Sequence, residues 1–173
     1  MMKHHEAPWS RSLIVMSVLT TVVCLGASAG AWLILAARHP PGVLGSAVLL
    51  PLVILFGAAL FTIRGYSIAS DCILVHRLLW STRLPRAGLE SAQVEPGTMR
   101  WSLRTFGNGG GFSITGFYYN KRLGSYRAYV TDPRRLVVLR YANRRVVLSP
   151  ATPEDFVHDL ALAKPSRPNS PFS

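Results

Sequence analysis

This sequence predicts an α+β membrane protein: a two-helix transmembrane hairpin followed by an antiparallel β-barrel or sandwich that a C-terminal α-helix caps. Three observations predict it. Two apolar runs without a single charge, residues 12–37 and 42–63, are joined by only Arg38-His39-Pro40-Pro41. After Arg64 the texture changes to short β-rich runs punctuated by turn residues. One amphipathic helical pattern, opening at Thr152-Pro153, closes the chain before a Pro/Ser-rich tail.

The first two elements follow from length. At 1.5 Å per residue each apolar run reaches about 33 Å or more as a helix, against a hydrocarbon core of about 30 Å. Two spans with so short a connection form an antiparallel hairpin, which puts the tail at 1–11 and everything after Arg64 on one side of the bilayer. Lys3 and Arg11 before the hairpin and Arg64, Arg77 and Arg83 after it outnumber Arg38 in the connection. The positive-inside bias therefore predicts a multi-pass membrane protein with both termini in the cytoplasm. Trp9 and Trp32 lie near the two ends of the first span, where indole rings favour the interface.

The competing reading of the first run is a cleaved signal, with Ala27-Ser28-Ala29 as its A-x-A site. The run continues through Trp32-Leu33-Ile34-Leu35, beyond an ordinary signal core, and Val22-Val23 before Cys24 do not suit a lipoprotein signal. Cys24 and Cys72 are poorly placed to bridge, which agrees with a reducing compartment. Gly26-Ala27-Ser28-Ala29-Gly30 is a G-x-x-x-G patch that permits close helix approach, either to the second helix of the hairpin or in a homodimer through Gly26 and Gly30. Pro51 falls mid-span and predicts a kink. With no ionisable residue in either span, a transporter or channel is disfavoured.

The module, 65–163, contains strand patterns at 66–69, 72–77, 80–84, 91–94, 117–120, 125–131, 136–141 and 145–148. Ser70-Asp71, Asp132-Pro133 and Ala142-Asn143 supply turns, and the expectation is that they join adjacent strands as antiparallel hairpins. Gly107-Asn108-Gly109-Gly110-Gly111 reads as a flexible loop between strands, since no helix or Lys-Ser/Thr follows as a phosphate loop requires. Thr152 as N-cap, Pro153 at the first position and Glu154-Asp155 in the first turn start a helix. Phe156, Val157, Leu160 and Ala163 give that helix one apolar face. The tail at 164–173 has little to bury and is expected to be disordered.

This order of elements resembles a pleckstrin-homology (PH) fold. The second half is similar to the bacterial PH-like domain family through Gly116-Phe117, Gly124-Ser125-Tyr126-Arg127-Ala128-Tyr129-Val130-Thr131-Asp132, Val137-Val138-Leu139, and Val147-Leu148-Ser149-Pro150 leading into Pro153-Glu154-Asp155-Phe156. The resemblance spans 66–163 and is densest from Gly116 to Leu160. It implies a recognition module with membrane spans before it. It does not imply specific inositol-phosphate binding, because the turn between the first two strands is Ser70-Asp71 in place of a basic cluster.

Charge narrows the function. The chain carries a net +11, with 16 Arg against 3 Lys, most of it after Arg64. Lys121, Arg122, Arg127, Arg134, Arg135, Arg144 and Arg145 flank the second-half strands and are the candidate lipid- or partner-binding residues, expected to share one rim. Near a surface of anionic lipid each contributes about 1 kcal/mol; the plainer reading is a solvated arginine surface. Trp101, Phe106 and Phe112 join Trp9 and Trp32 as candidate membrane-interface anchors. No nucleic-acid-binding signature accompanies the charge. Glu154 and His158 read as a solvated i, i+4 pair, and His4-His5 lacks partners at metal-ligand spacing. No nucleophile motif, catalytic residue, metal set or cofactor site is found. The expected function is a membrane-anchored PH-like binding or scaffolding module that recognises a membrane-protein partner with help from anionic lipid. The alternatives are an anionic-lipid sensor and, last, a small membrane-bound enzyme.

Overall fold

The computed structural model describes residues 2–36, 40–109 and 111–163. Ser10 opens the first helix, α1 (Arg11–Leu35), by accepting a hydrogen bond from the Leu13 amide at 3.2 Å. The second, α2 (Pro41–Leu60), begins on Pro41 at its first turn and continues through Pro51. Both are long and apolar enough to cross a membrane, and most of their apolar side chains are exposed. Ser28 Oγ donates to the Val48 carbonyl at 2.9 Å and sets their antiparallel register. A Cβ on Gly26 or Gly30 would meet nothing within 4 Å, so the hairpin seam runs through buried Ser28 and the two glycines stay open.

Among the described residues ten strands form two sheets. The four-stranded sheet has the order β1 (Lys3–Glu6), β2 (Ile63–Ile68), β3 (Cys72–Arg77), β4 (Ser81–Pro85), all antiparallel. The six-stranded sheet contains β5 (Leu89–Val94), β6 (Leu103–Gly109), β7 (Ile114–Asn120), β8 (Gly124–Val130), β9 (Val137–Tyr141) and β10 (Arg144–Leu148), in the order β5-β9-β10-β8-β7-β6. The result is a PH-like sandwich whose inner core joins Ile63, Tyr66, Ile73 and Val75 to Tyr129, Val137, Leu139 and Leu148. The last helix, α3 (Pro153–Leu162), closes it by burying Phe156 and Leu160 against that core. A second cluster, including Tyr118, Tyr126, Val130 and Val138, packs with Met99 from the β5–β6 connection.

Four expectations are corrected. Lys3–Glu6, read as tail, is an edge strand: Lys3 lies opposite Ile68 and Glu6 opposite Gly65, and the Glu6 carbonyl accepts from the Ala151 amide at 2.9 Å. Cleavage of a signal peptide would remove this strand. The glycine run is only partly a loop, because Gly107, Asn108 and Gly109 end β6 while Gly111 lies in the turn before β7; Gly110 lies outside the described residues. Gly107 (φ 118°) faces Gly116 (φ 148°) so closely that a Cβ on Gly116 would come within 2.1 Å of the Phe106 carbonyl oxygen. The glycines are there for close backbone approach. Asp132-Pro133 does not close a hairpin: β8 pairs parallel with β10, and β9 lies beyond it. Thr152 occupies the N-cap position without a side-chain capping bond. The expected disorder of 164–173 falls outside the described residues.

Candidate functional site

The site forms where the hairpin enters the sandwich. Only Phe61 and Thr62 separate α2 from β2, and β2 places Ile63 opposite Arg77 at the end of β3. Arg77 is thereby fixed beside the last turn of α2. It is 6 % exposed, and it donates from Nη1 to the Phe61 carbonyl at 3.2 Å and from Nε to Thr82 Oγ1 at 3.3 Å. Its guanidinium lies over the rings of Phe61, Trp80 and Tyr129 at 5.2, 5.8 and 5.3 Å. Burial lowers its pKa and repulsion from Arg127 acts in the same direction, yet a guanidinium remains a cation at neutral pH.

Arg127 comes from the other sheet. Standing mid-β8, it covers the same Tyr129 ring at 5.2 Å and Phe117 at 5.3 Å. No ion pair among the described residues includes either guanidinium. A cleft of about 470 Å³ opens here, walled by Gly57, Ala58 and Phe61 on one side and by Phe106, Phe117 and the two arginines on the other. Beside it the β3–β4 turn exposes Leu78, Leu79 and Trp80, with the Trp80 ring edge-on to Phe61 at 5.5 Å. An apolar margin around a cationic centre is the polarity of a hydrocarbon–headgroup boundary.

The β6–β7 turn braces the junction. Ser113 Oγ donates to the Phe61 carbonyl and the Phe112 amide donates to Ser17 Oγ, both at 2.9 Å. One short segment thus ties the end of α2 to α1 at a level about 9 Å past its start. A family model described as Bacterial PH domain matches residues 64–163. The chain belongs to that family. Neither the comparison with curated proteins nor that with solved structures finds a match.

In this bacterial PH domain the expected arginine rim is divided. Because β8 and β10 run parallel, their starting ends coincide, so Lys121 and Arg122 meet Arg144 and Arg145 at the end remote from the helices. Arg134 and Arg135 fall at the opposite end, near Thr131, whose carbonyl accepts from the Ser10 amide at 3.2 Å. Arg127 stands between, facing the other sheet. Most of these charges are already partnered: Arg122 with Glu95 at 3.2 Å, Arg134 and Arg135 with Asp132 at 3.6 and 3.8 Å. Arg144 lies over the Tyr141 ring at 4.5 Å, and Arg145 donates to the Leu123 carbonyl. Lys121 is exposed.

The aromatic candidates also separate. Trp9 and Phe112 pack edge-to-face with centroids 6.4 Å apart, beside α1. Phe106 lines the cleft, Trp32 is exposed near the far end of α1, and Trp101 is 93 % exposed on the β5–β6 connection. Trp101 (φ 59°) and Phe112 (φ 65°) are the only non-glycine residues with positive φ among those described, a conformation costing about 1–3 kcal/mol each.

Sequence reasoning missed Arg77 as a site residue and Leu78-Leu79-Trp80 as an apolar tip. The available signal was an apolar triplet where a hairpin turn is normally polar. It also left His4 without partners. In the fold, Ser67 Oγ lies 2.7 Å from His76 Nε2 and 3.1 Å from His4 Nδ1, with Ser81 Oγ 2.9 Å from His76 Nδ1. A serine beside an imidazole is the contact of a nucleophile with its base. Here Ser67 is only 2 % exposed and the orienting group is a serine, so the network serves to fasten β1 to the sheet.

Proposed function

We propose that this bacterial PH domain protein is a membrane-tethered, non-catalytic binding and scaffolding module at the cytoplasmic face of the inner membrane. It receives a membrane-protein partner on the free edge of its six-stranded sheet while anionic lipid holds the sandwich against the bilayer. The observation that carries this reading is β6. Among the described residues it pairs with β7 alone, so one row of backbone groups has no strand beside it; Leu103 and Phe106 along it are 71 and 75 % exposed, and Trp101 just before it is 93 % exposed. An open edge dressed with large apolar side chains is a surface that proteins ordinarily cover. Tethering raises the effective concentration of a partner in the same membrane, so modest intrinsic affinity suffices.

A photo-crosslinking residue in place of Leu103, activated in intact membranes, tests this. A protein adduct of discrete mass is expected. An adduct at twice the mass of the chain would make the partner a second copy, the arrangement that open Gly26 and Gly30 also suit. Lipid adducts alone would overturn the partner reading in favour of an anionic-lipid sensor, the second reading, which the unpaired Arg77 and Arg127 favour.

A further inference from the structure

Two guanidinium groups converge on one aromatic ring at the helix junction, with no carboxylate among the described residues to neutralise them. Arg77 is buried and Arg127 is exposed beside it, and a buried cation is unfavourable unless hydrogen-bonded or paired. Arg77 has the Phe61 carbonyl and Thr82 hydroxyl for two of its donors, whereas Arg127 makes no hydrogen bond among the described residues. The remaining donors match a group with several anionic oxygens, which guanidinium binds in bidentate fashion. The opposite wall is α2, and there the chain has Gly57 and Ala58. A Cβ on Gly57 would meet nothing within 4 Å, so the helix leaves an open groove leading from the arginines along a membrane-spanning surface. The cleft's 470 Å³ is in the range of small-molecule sites.

We propose that this cleft holds one anionic phospholipid, its phosphate between Arg77 and Arg127 and an acyl chain laid along Gly57 and Ala58. The proposal rests on α1 and α2 spanning a bilayer and on the lipid half of the proposed function; it is independent of the β6 partner. A lipid fits better than an acidic peptide because an apolar groove and a cationic centre are continuous here, and Phe106, Phe117 and the Leu78-Leu79-Trp80 tip surround them with apolar surface.

Native mass spectrometry of the full chain from detergent, loaded with phosphatidylglycerol or phosphatidylcholine, tests the site. One phosphatidylglycerol per chain should survive conditions that strip phosphatidylcholine. Arg127→Gln should weaken its retention about tenfold, the scale of a lost charge-assisted hydrogen bond. Gly57→Leu should displace the lipid as well while leaving both arginines intact. Equal retention of the two lipids, or undiminished phosphatidylglycerol in both variants, would overturn the proposal. Displacement by millimolar inorganic phosphate would reassign the site to free phosphate and likewise refute a lipid. The Leu103 crosslink, repeated in Arg127→Gln, separates the two ideas, because a protein adduct that persists without bound lipid leaves the partner reading standing.

Discussion

The arginines at the far end of the six-stranded sheet and the two at the helix junction, Arg77 and Arg127, differ in what they face. Of the arginines toward the end remote from the helices, Arg140 and Arg122 donate to Glu95 at 2.5 and 3.2 Å, and Arg145 is held by a backbone carbonyl. Toward the helix junction, Arg77 and Arg127 face aromatic rings and an apolar groove. Charge density alone would rank the remote end higher. Under the lipid proposal local neutralisation reverses the ranking, because a cation already matched by an acid or a carbonyl has less to offer an external anion.

The sharpest way to break the contrast is to unseat β6. Gly116→Ala drives a methyl into the Phe106 carbonyl. It should cost about 3 kcal/mol and remove the Phe106 wall of the cleft, read as a lowered unfolding midpoint in detergent. Next in size is a direct comparison of the ends. Arg127→Gln should weaken phosphatidylglycerol retention as above, whereas Arg144→Gln with Arg145→Gln should change it by less than about twofold, since surface charges are screened. A comparable loss from the remote pair would erase the distinction.

Smaller, and a test of the explanation itself, is Glu95→Gln. It should destabilise the fold by about 1 kcal/mol and free Arg122 and Arg140, so that a second, weaker anionic-lipid adduct emerges in the mass spectrum. If neutralisation is not what silences the remote end, no such adduct will form.

The least effect concerns pH. Burial lowers the pKa of His76, reinforced by His4, and burial lowers that of His5 despite the nearby Asp159. Both imidazoles are thus favoured neutral in the fold. The stability they contribute is present above about pH 6.5 and declines as pH falls through their lower folded values. Corrected for the slower intrinsic exchange in acid, the protection factors of the β1 amides should fall as pH drops below about 6.5, before those of the six-stranded sheet respond.

The spans, the C-terminal helix and most strands were legible because each is written in local periodicity. Phe156 and Leu160 announce one helix face, and unbroken apolar runs announce the hairpin. What escaped reading depends on partners distant in sequence. Lys3-His4-His5-Glu6 has no apolar alternation, and it is a strand only because β2 offers an edge after two intervening helices. Gly107 looks like flexibility until Gly116 is set against it. The parallel pairing of β8 with β10 lies outside anything Asp132-Pro133 can signal. Half of the candidate site was visible: Arg127 and Phe106 were named, while Arg77 resembled every other arginine in the chain until Phe61, Trp80 and Tyr129 enclosed it.

The strand at the N-terminus has one more consequence. β1 is synthesised before the two helices and β2 after them, so across a bilayer that both helices span, their ladder requires the chain to return to its starting side. A chain with one helix threaded wrongly would strand these partners across the bilayer, leaving His5 and Phe156 unjoined and the β2 edge bare for proteolysis. Completion of the four-stranded sheet therefore depends on the path of both helices as much as on the strands themselves.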